Sequence, residues 1–169
     1  DIVGADPLFL AAITRARKVA GSNSPVLIWG ETGTGKELVA QAIHNYSPRR
    51  NRPFVAINCA ALPESLQESI LFGTFRGAFT GAVDKPGVFE EAQKGTLYLD
   101  ELDGMPEMLQ TKLLRVLQEK RIRRLGSSRE VNVDVKVLSS LSRNPRLAVQ
   151  EGTLRQDLYY RLGVVILHL

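Results

Sequence analysis

The stretch from Val26 to Asn45, VLIWGETGTGKELVAQAIHN, limits the possible folds of this chain more than any other. Four apolar residues, Val26, Leu27, Ile28 and Trp29, read as a buried strand. Three glycines, Gly30, Gly33 and Gly35, occupy the next six positions, and after Lys36 the apolar Leu38, Val39, Ala42, Ile43 and Tyr46 recur at helical spacing. Strand, tight loop and helix in that order let successive backbone N–H groups and a helix N-terminus converge on an anion, while the lysine ammonium reaches the terminal phosphates. Gly30, Glu31, Thr32, Gly33, Thr34, Gly35 and Lys36 make the GxxxxGK pattern of a Walker A phosphate loop and are the candidate nucleotide-binding set. Glu37 belongs with them, standing where a Ser or Thr that touches Mg²⁺ usually follows the lysine.

Around that unit the chain alternates between two periods. Pro7 to Ala20 places Phe9, Ile13, Ala16 and Ala20 on one helical stripe, which stops at Gly21. Phe54 to Ile57 is a second short strand after the polar loop SPRRNRP, and Pro63 opens a helix through about Phe72. Strands separated by helices predict a parallel sheet covered on both faces, an α/β fold in one domain over residues 1–169. A short helix is expected at Val88 to Gln93, another over Pro106 to Gln118, a hairpin about Gly126 and Ser127, a core strand from Val135 to Leu138, helices over 145–150 and 154–162, and a last strand in VVILHL.

The run Thr96 to Leu99 is a buried strand that delivers Asp100 and Glu101 to its carboxyl end, where ligands bind in open parallel sheets. Adjacent acids there suit a division of labour in which Asp100 holds Mg²⁺ and Glu101 polarises the water that attacks a γ-phosphate. A strand ending in Asp-Glu carries little information alone; about 65 residues after a phosphate loop it is informative.

Gly73 to Pro86, GTFRGAFTGAVDKP, fits neither period. It mixes glycines with two phenylalanines, Phe75 and Phe79, and a connecting loop seldom carries large apolar groups. Either the rings tuck onto the body or the loop presents Phe79 and Thr80 to a partner.

Composition enters mainly by exclusion. With 44% hydrophobic and 24% charged residues the chain has a globular composition, no apolar run approaches the ~18 residues of a membrane span, and the opening DIVGADP is no signal peptide. Cys59, the single cysteine, can form no internal disulfide, which fits a reducing cytoplasm, and reads as a small buried residue. His44 and His168 lack partners at metal-ligand spacing and read as structural or surface groups. The net charge of +4 comes largely from Arg49, Arg50 and Arg52 and from Lys120, Arg121, Arg123 and Arg124. Neither cluster is interleaved with exposed aromatics, so solvated faces are a better reading than a nucleic-acid surface.

Taken together, these residues resemble the central AAA+ ATPase domain of bacterial sigma-54-dependent transcriptional activators over nearly the whole chain. The most specific element is the hexapeptide GAFTGA, here Gly77, Ala78, Phe79, Thr80, Gly81 and Ala82. The resemblance implies that this hexapeptide is the tip of a loop gripping sigma-54, and that glutamate after the Walker lysine is normal. It also implies that Leu99 to Glu101 is the Walker B element, that Asn58 holds the catalytic glutamate, and that Arg155 and Arg161 reach into a neighbouring subunit's site. The implied whole is a P-loop NTPase, the AAA+ large subdomain, binding ATP and Mg²⁺. Its ring, by resemblance a hexamer, would act on sigma-54 RNA polymerase and touch DNA through a domain outside this stretch.

Three positions depart from that pattern. Leu141 and Ser142 stand where Thr-Asn is usual, so the sensor of the γ-phosphate has lost its amide and Ser142 takes its place. Residues 70–75, ILFGTF, replace the usual ELFGHE. The chain ends before the helical lid of AAA+ proteins and reads as a fragment. A nucleotide-gated binding module with little hydrolysis is the rival function.

Overall fold

The computed structural model describes residues 6–169. Its frame is five strands: β1 (Val26–Trp29), β2 (Phe54–Asn58), β5 (Thr96–Asp100), β8 (Lys136–Leu141) and β9 (Val165–His168). All pair in parallel, in the spatial order β2-β5-β8-β1-β9. The helices are α1 (Pro7–Ala20), α2 (Lys36–Asn45), α3 (Glu64–Phe72), α4 (Val88–Glu91), α5 (Glu107–Glu119), α6 (Pro145–Gln150) and α7 (Gln156–Leu162). Two small antiparallel ladders complete the fold, β3 (Gly73–Thr74) with β4 (Lys85–Pro86) and β6 (Arg121–Arg123) with β7 (Glu130–Asn132).

Side chains alternate across a strand, and here both alternate sets are apolar because both faces are covered. Val26 and Ile28, with Tyr98, Leu138 and Leu167, pack under α1 and α2 against Ile13, Ala16, Val39 and Ile43. Leu27, with Leu97, Leu99, Val137 and Leu141, faces the opposite layer, where Phe89, Leu109, Leu113, Leu158 and Leu162 are buried. The parallel sheet covered on both faces, expected from the alternation of strand and helix, is what forms.

Local chemistry sets the ends of these elements. Asp6 caps α1 by accepting from the Leu8 N–H at 3.0 Å, with Pro7 in the first turn, where a missing N–H costs nothing. The other end of α1 is held by a residue that pattern reading passed over. Lys136 opens β8, is buried, and its ammonium donates to the Val19 carbonyl at 2.9 Å and the Ser22 carbonyl at 2.6 Å. Burial pulls its pKa down to about 8, while the carbonyls at a helix C-terminus are natural acceptors for a cation.

Three boundaries differ from expectation. β8 continues to Leu141, so Ser139 and Ser140 lie inside the strand and are buried. α7 begins at Gln156, which leaves Arg155 before the helix as its N-cap residue with extended backbone. The segment expected as open loop from Gly73 to Pro86 is closed at its base by the β3–β4 ladder, by Thr74 Oγ1 donating to the Val83 carbonyl at 2.6 Å and by the Arg76 N–H donating to Asp84 Oδ1 at 2.7 Å. Among the described residues no helix is long and apolar enough to cross a membrane.

Candidate functional site

The phosphate loop leaves β1 beside β8, because Trp29 lies opposite Leu141 and the Gly30 N–H donates to the Leu141 carbonyl at 3.2 Å. Glycine is needed in it for two different reasons. At Gly30 a Cβ would stand 2.9 Å from the Leu169 carbonyl oxygen; at Gly35, with φ of +88°, it would stand 3.0 Å from the Phe9 ring of α1. Gly33 also has positive φ, a conformation that L side chains resist. Lys36 opens α2 and is buried, its ammonium donating to the Gly30 carbonyl at 2.8 Å and the Glu31 carbonyl at 3.1 Å. Thr34 donates to the same Glu31 carbonyl at 2.7 Å. Glu31, Thr32, Gly33 and Glu37 are exposed at the mouth. A cation at a glycine cradle that ends in a helix N-terminus is a donor set that fits the phosphates of a nucleotide.

The acid pair sits one strand beyond β8. Ser140 reaches it from the neighbouring strand, donating to Asp100 Oδ1 and accepting from the Glu101 N–H at 3.2 Å. The Tyr98 hydroxyl donates to the same Asp100 oxygen at 3.3 Å, and burial pushes its pKa up. Glu101 has φ of +53°, a left-handed conformation uncommon for a non-glycine residue and of a kind that gathers at functional sites. Its carboxylate accepts from Ser142 Oγ at 2.5 Å. The serines at 140 and 142 thus attend one acid each, a pairing visible only once β5 and β8 are known to be neighbours.

The other residues expected at the site stand differently. Asn58 lies opposite Asp100 in the β2–β5 ladder, but its carboxamide oxygen accepts from the Ala60 and Ala61 N–H groups at 2.9 and 3.2 Å, capping its own turn. Arg155 is paired with Asp157 at 2.9 Å and with Glu107 at 3.1 Å, and these partners raise its pKa, the bond to Asp157 most. Arg161 donates to the Leu117 carbonyl at 3.2 Å. The hydrogen bonds of neither arginine, among the described residues, run to the phosphate loop or the acid pair. The structure therefore gathers the loop, Asp100, Glu101 and Ser142, and leaves Arg155 and Arg161 on other elements.

The hexapeptide 77–82 forms the outer end of the β3–β4 loop. Gly77 and Gly81 have positive φ, and a Cβ on either would meet nothing within 4 Å. Phe79 is 56% exposed and Phe75 42%. The loop is braced from one side by the β6–β7 turn: Leu125 donates to the Gly73 carbonyl and accepts from the Phe75 N–H, both at 2.9 Å, and Gly126 lies so close that a Cβ would stand 2.7 Å from Ala78 Cα.

This arrangement of loop, acid pair and braced hexapeptide agrees with the sequence's match to the family described as the Sigma-54 interaction domain, which runs over residues 2–168. The chain belongs to that family. It is 56% identical over 167 residues to the transcriptional regulatory protein GlrR of Escherichia coli, covering 98% of this chain and 38% of that protein. The transcriptional activator RocR of Bacillus subtilis is 53% identical, over 99% of this chain and 36% of its own length. This chain thus spans well under half the length of both relatives. Among solved structures, NtrX from Brucella abortus in complex with ATP superposes with a TM-score of 0.90 at 41% identity, over 99% of this chain and 38% of that one. The P-loop NTPase domain of an Escherichia coli sigma-54 activator, at 14% identity and a TM-score of 0.65, covers 98% of this chain and 96% of that one and shares the fold.

Proposed function

We propose that this domain binds and hydrolyses ATP and uses the cycle to act on sigma-54 RNA polymerase through the Gly77–Ala82 loop. The observation that carries the reading is the convergence of the phosphate loop and Lys36 with an acid pair whose two carboxylates are separately held by Ser140 and Ser142. Lys36 and the loop N–H groups neutralise phosphate charge, and Asp100 would hold Mg²⁺, a cation that supplies further charge neutralisation when bound. Glu101 accepts the proton of the attacking water. Glu101 thus has the chemical task, while Asp100, bonded to Ser140 and Tyr98, keeps a fixed orientation.

Arg155 and Arg161 act in this reading on a neighbouring subunit's nucleotide within a ring, and an arginine finger contributes about 10³ to 10⁵ in rate. Their bonds to Glu107, Asp157 and Leu117 then change on assembly. A braced loop with outward phenylalanines suits contact with sigma-54, and DNA would be reached by other parts of a longer cytoplasmic regulator. Support comes from the family match and from a relative crystallised with ATP.

A rival reading, a nucleotide-gated module with little hydrolysis, has one observation in its favour: Glu101 is already engaged by Ser142. Steady-state ATPase of the full-length protein separates the two. Hydrolysis that falls about 10²- to 10⁴-fold in Glu101→Gln supports the ATPase; turnover equally slow in parent and variant supports the module.

A further inference from the structure

Tyr98 and Asp100 are two residues apart on β5, so their side chains leave the same face of the sheet. Leu99 lies opposite Ser139 in the β5–β8 ladder, and the next step along both strands brings Ser140 beside Asp100. Two hydroxyls then meet one carboxylate oxygen. Ser140 Oγ donates to Asp100 Oδ1, and the Tyr98 hydroxyl donates to the same atom over the longer distance of 3.3 Å. Ser140 is turned that way from its other side as well, because its oxygen accepts from the Glu101 N–H at 3.2 Å. Neither donor is free to leave. Tyr98 is 1% exposed, with its ring in the apolar layer under α1 and α2, and Ser140 is fully buried. The backbone of Asp100 is fixed too, its carbonyl accepting from the Cys59 N–H at 2.9 Å.

A carboxylate oxygen has two lone pairs, so two donors fill Oδ1. The hydrogen bonds to the Asp100 carboxylate, among the described residues, all go to that atom and leave Oδ2 open. Asp100 therefore offers a cation one oxygen and not two. That difference separates two common ions. Mg²⁺ demands near-octahedral geometry and is held through one or two carboxylates with phosphate oxygens and water, whereas the larger Ca²⁺ gathers more oxygens and accepts both from one carboxylate. Among the described residues no group of three His, Cys, Asp or Glu side chains could hold a metal by itself. An ion at Asp100 thus draws its other ligands from nucleotide and water, the arrangement that Mg²⁺ favours.

We propose that Tyr98 and Ser140 are positioning residues that make the site discriminate Mg²⁺ from Ca²⁺: by occupying Asp100 Oδ1 they deny a cation the second carboxylate oxygen. Both hydroxyls act through Asp100 and not on the ion. The inference rests on the ATPase reading above, in which Asp100 holds the metal, and deepens it by naming what selects the ion.

The test is the affinity of the full-length protein for a non-hydrolysable ATP analogue, measured by isothermal titration in Mg²⁺, in Ca²⁺ and in EDTA. Tyr98→Phe and Ser140→Ala each delete one hydroxyl and little volume; each is read on its own, beside the double variant, with a melting curve to show that it folds. The ratio of the dissociation constant in Ca²⁺ to that in Mg²⁺ should fall about 3- to 10-fold in Ser140→Ala, the weight of one net hydrogen bond. Tyr98→Phe, which loses the longer bond, should lower the ratio less, and the double variant should lower it most. A ratio unchanged in all three variants, or both ions weakened alike, overturns the proposal, since the hydroxyls then serve only the fold; the ATPase reading stands. A parent protein that binds the analogue as tightly in EDTA as in Mg²⁺ overturns instead the reading that puts a metal on Asp100, and the proposal with it.

Discussion

Two glycine-rich loops of this domain use the same residue for opposite ends. In the phosphate loop, Gly30 and Gly35 are crowded by Leu169 and the Phe9 ring, and Lys36 and Thr34 bond back onto the loop's own carbonyls. In the loop from Gly73 to Pro86, Gly77 and Gly81 face open space and glycine serves only to allow positive φ, while Phe75 and Phe79 turn outward. The first loop is packed against its own domain, and its carbonyls are bonded by Lys36 and Thr34. The second is fastened at its base and brace and leaves its apolar tip for something larger. A buried lysine bonded to its own loop and exposed rings at a loop tip both depart from an ordinary surface loop, which is why each region reads as functional for its own physical reason.

The sharpest break between the two regions should come from Lys36→Ala. Loss of an ammonium that contacts phosphate should weaken ATP about 10- to 100-fold, while the bonds to two loop carbonyls are worth only about 1 kcal/mol of stability. Calorimetric titration and a melting curve on the same sample check both halves. An unchanged affinity would remove the phosphate-loop assignment.

The glycines themselves supply the next contrast. Alanine in a left-handed conformation costs roughly 1–2 kcal/mol at either site. Gly35→Ala must in addition displace the Phe9 ring and should be the more destabilising change, with nucleotide affinity falling as well. Gly81→Ala meets nothing and should show the conformational cost alone. Equal losses of stability in urea unfolding would mean that Phe9 yields freely and the phosphate loop is less constrained than its contacts indicate.

The smallest effect belongs to a residue that serves the fold beneath both loops. The His44 ring lies between the Arg52 carbonyl, 3.0 Å from Nε2, and the Thr96 hydroxyl, 2.7 Å from Nδ1. A carbonyl only accepts, so Nε2 carries a proton, and in the neutral ring Nδ1 accepts from the Thr96 hydroxyl. Burial lowers the His44 pKa from its ordinary 6.5. The unfolded chain therefore binds the proton more readily than the folded one, and the contribution is complete above pH 6.5 and lost as pH falls below it. Melting temperatures from pH 8 to pH 5 should decline more steeply in the parent than in His44→Gln; parallel slopes would show that His44 does not titrate on unfolding.

These contrasts also explain what could be read in the sequence. Strand β1, the phosphate loop and α2 were legible because glycine, lysine and the change from a continuous apolar run to helical spacing each carry a local signal. The place of the acid pair at the carboxyl end of β5 was legible because a buried strand ending in Asp-Glu follows the phosphate loop. Ser140 and Lys136 were not, since each gains its role from a strand or helix distant in sequence: Ser140 from Asp100 on β5, Lys136 from the carbonyls ending α1. A lysine opening a strand looks solvent-bound until the helix that needs it is in place. The hexapeptide stood out by composition, yet its support from Leu125 and Gly126 is a long-range contact that no local pattern announces. Arg155 was expected on a helix and instead precedes α7, where Asp157 holds it. The bond between Ser142 and Glu101 is likewise tertiary, joining the ends of two neighbouring strands.

The central claim is that the inward-facing site controls what the outward-facing loop can grip. Co-elution of the full-length protein with sigma-54, in ADP alone and in ADP with aluminium fluoride, tests it most directly, with Thr80→Ala run beside the parent. Thr80 is exposed at the loop tip, so its substitution should change stability by no more than roughly 0.5 kcal/mol and leave ATP affinity intact. The account predicts a complex with the parent only in the fluoride analogue, and none with Thr80→Ala in either nucleotide. Sigma-54 bound equally in both nucleotides, or held as tightly by Thr80→Ala as by the parent, would contradict it.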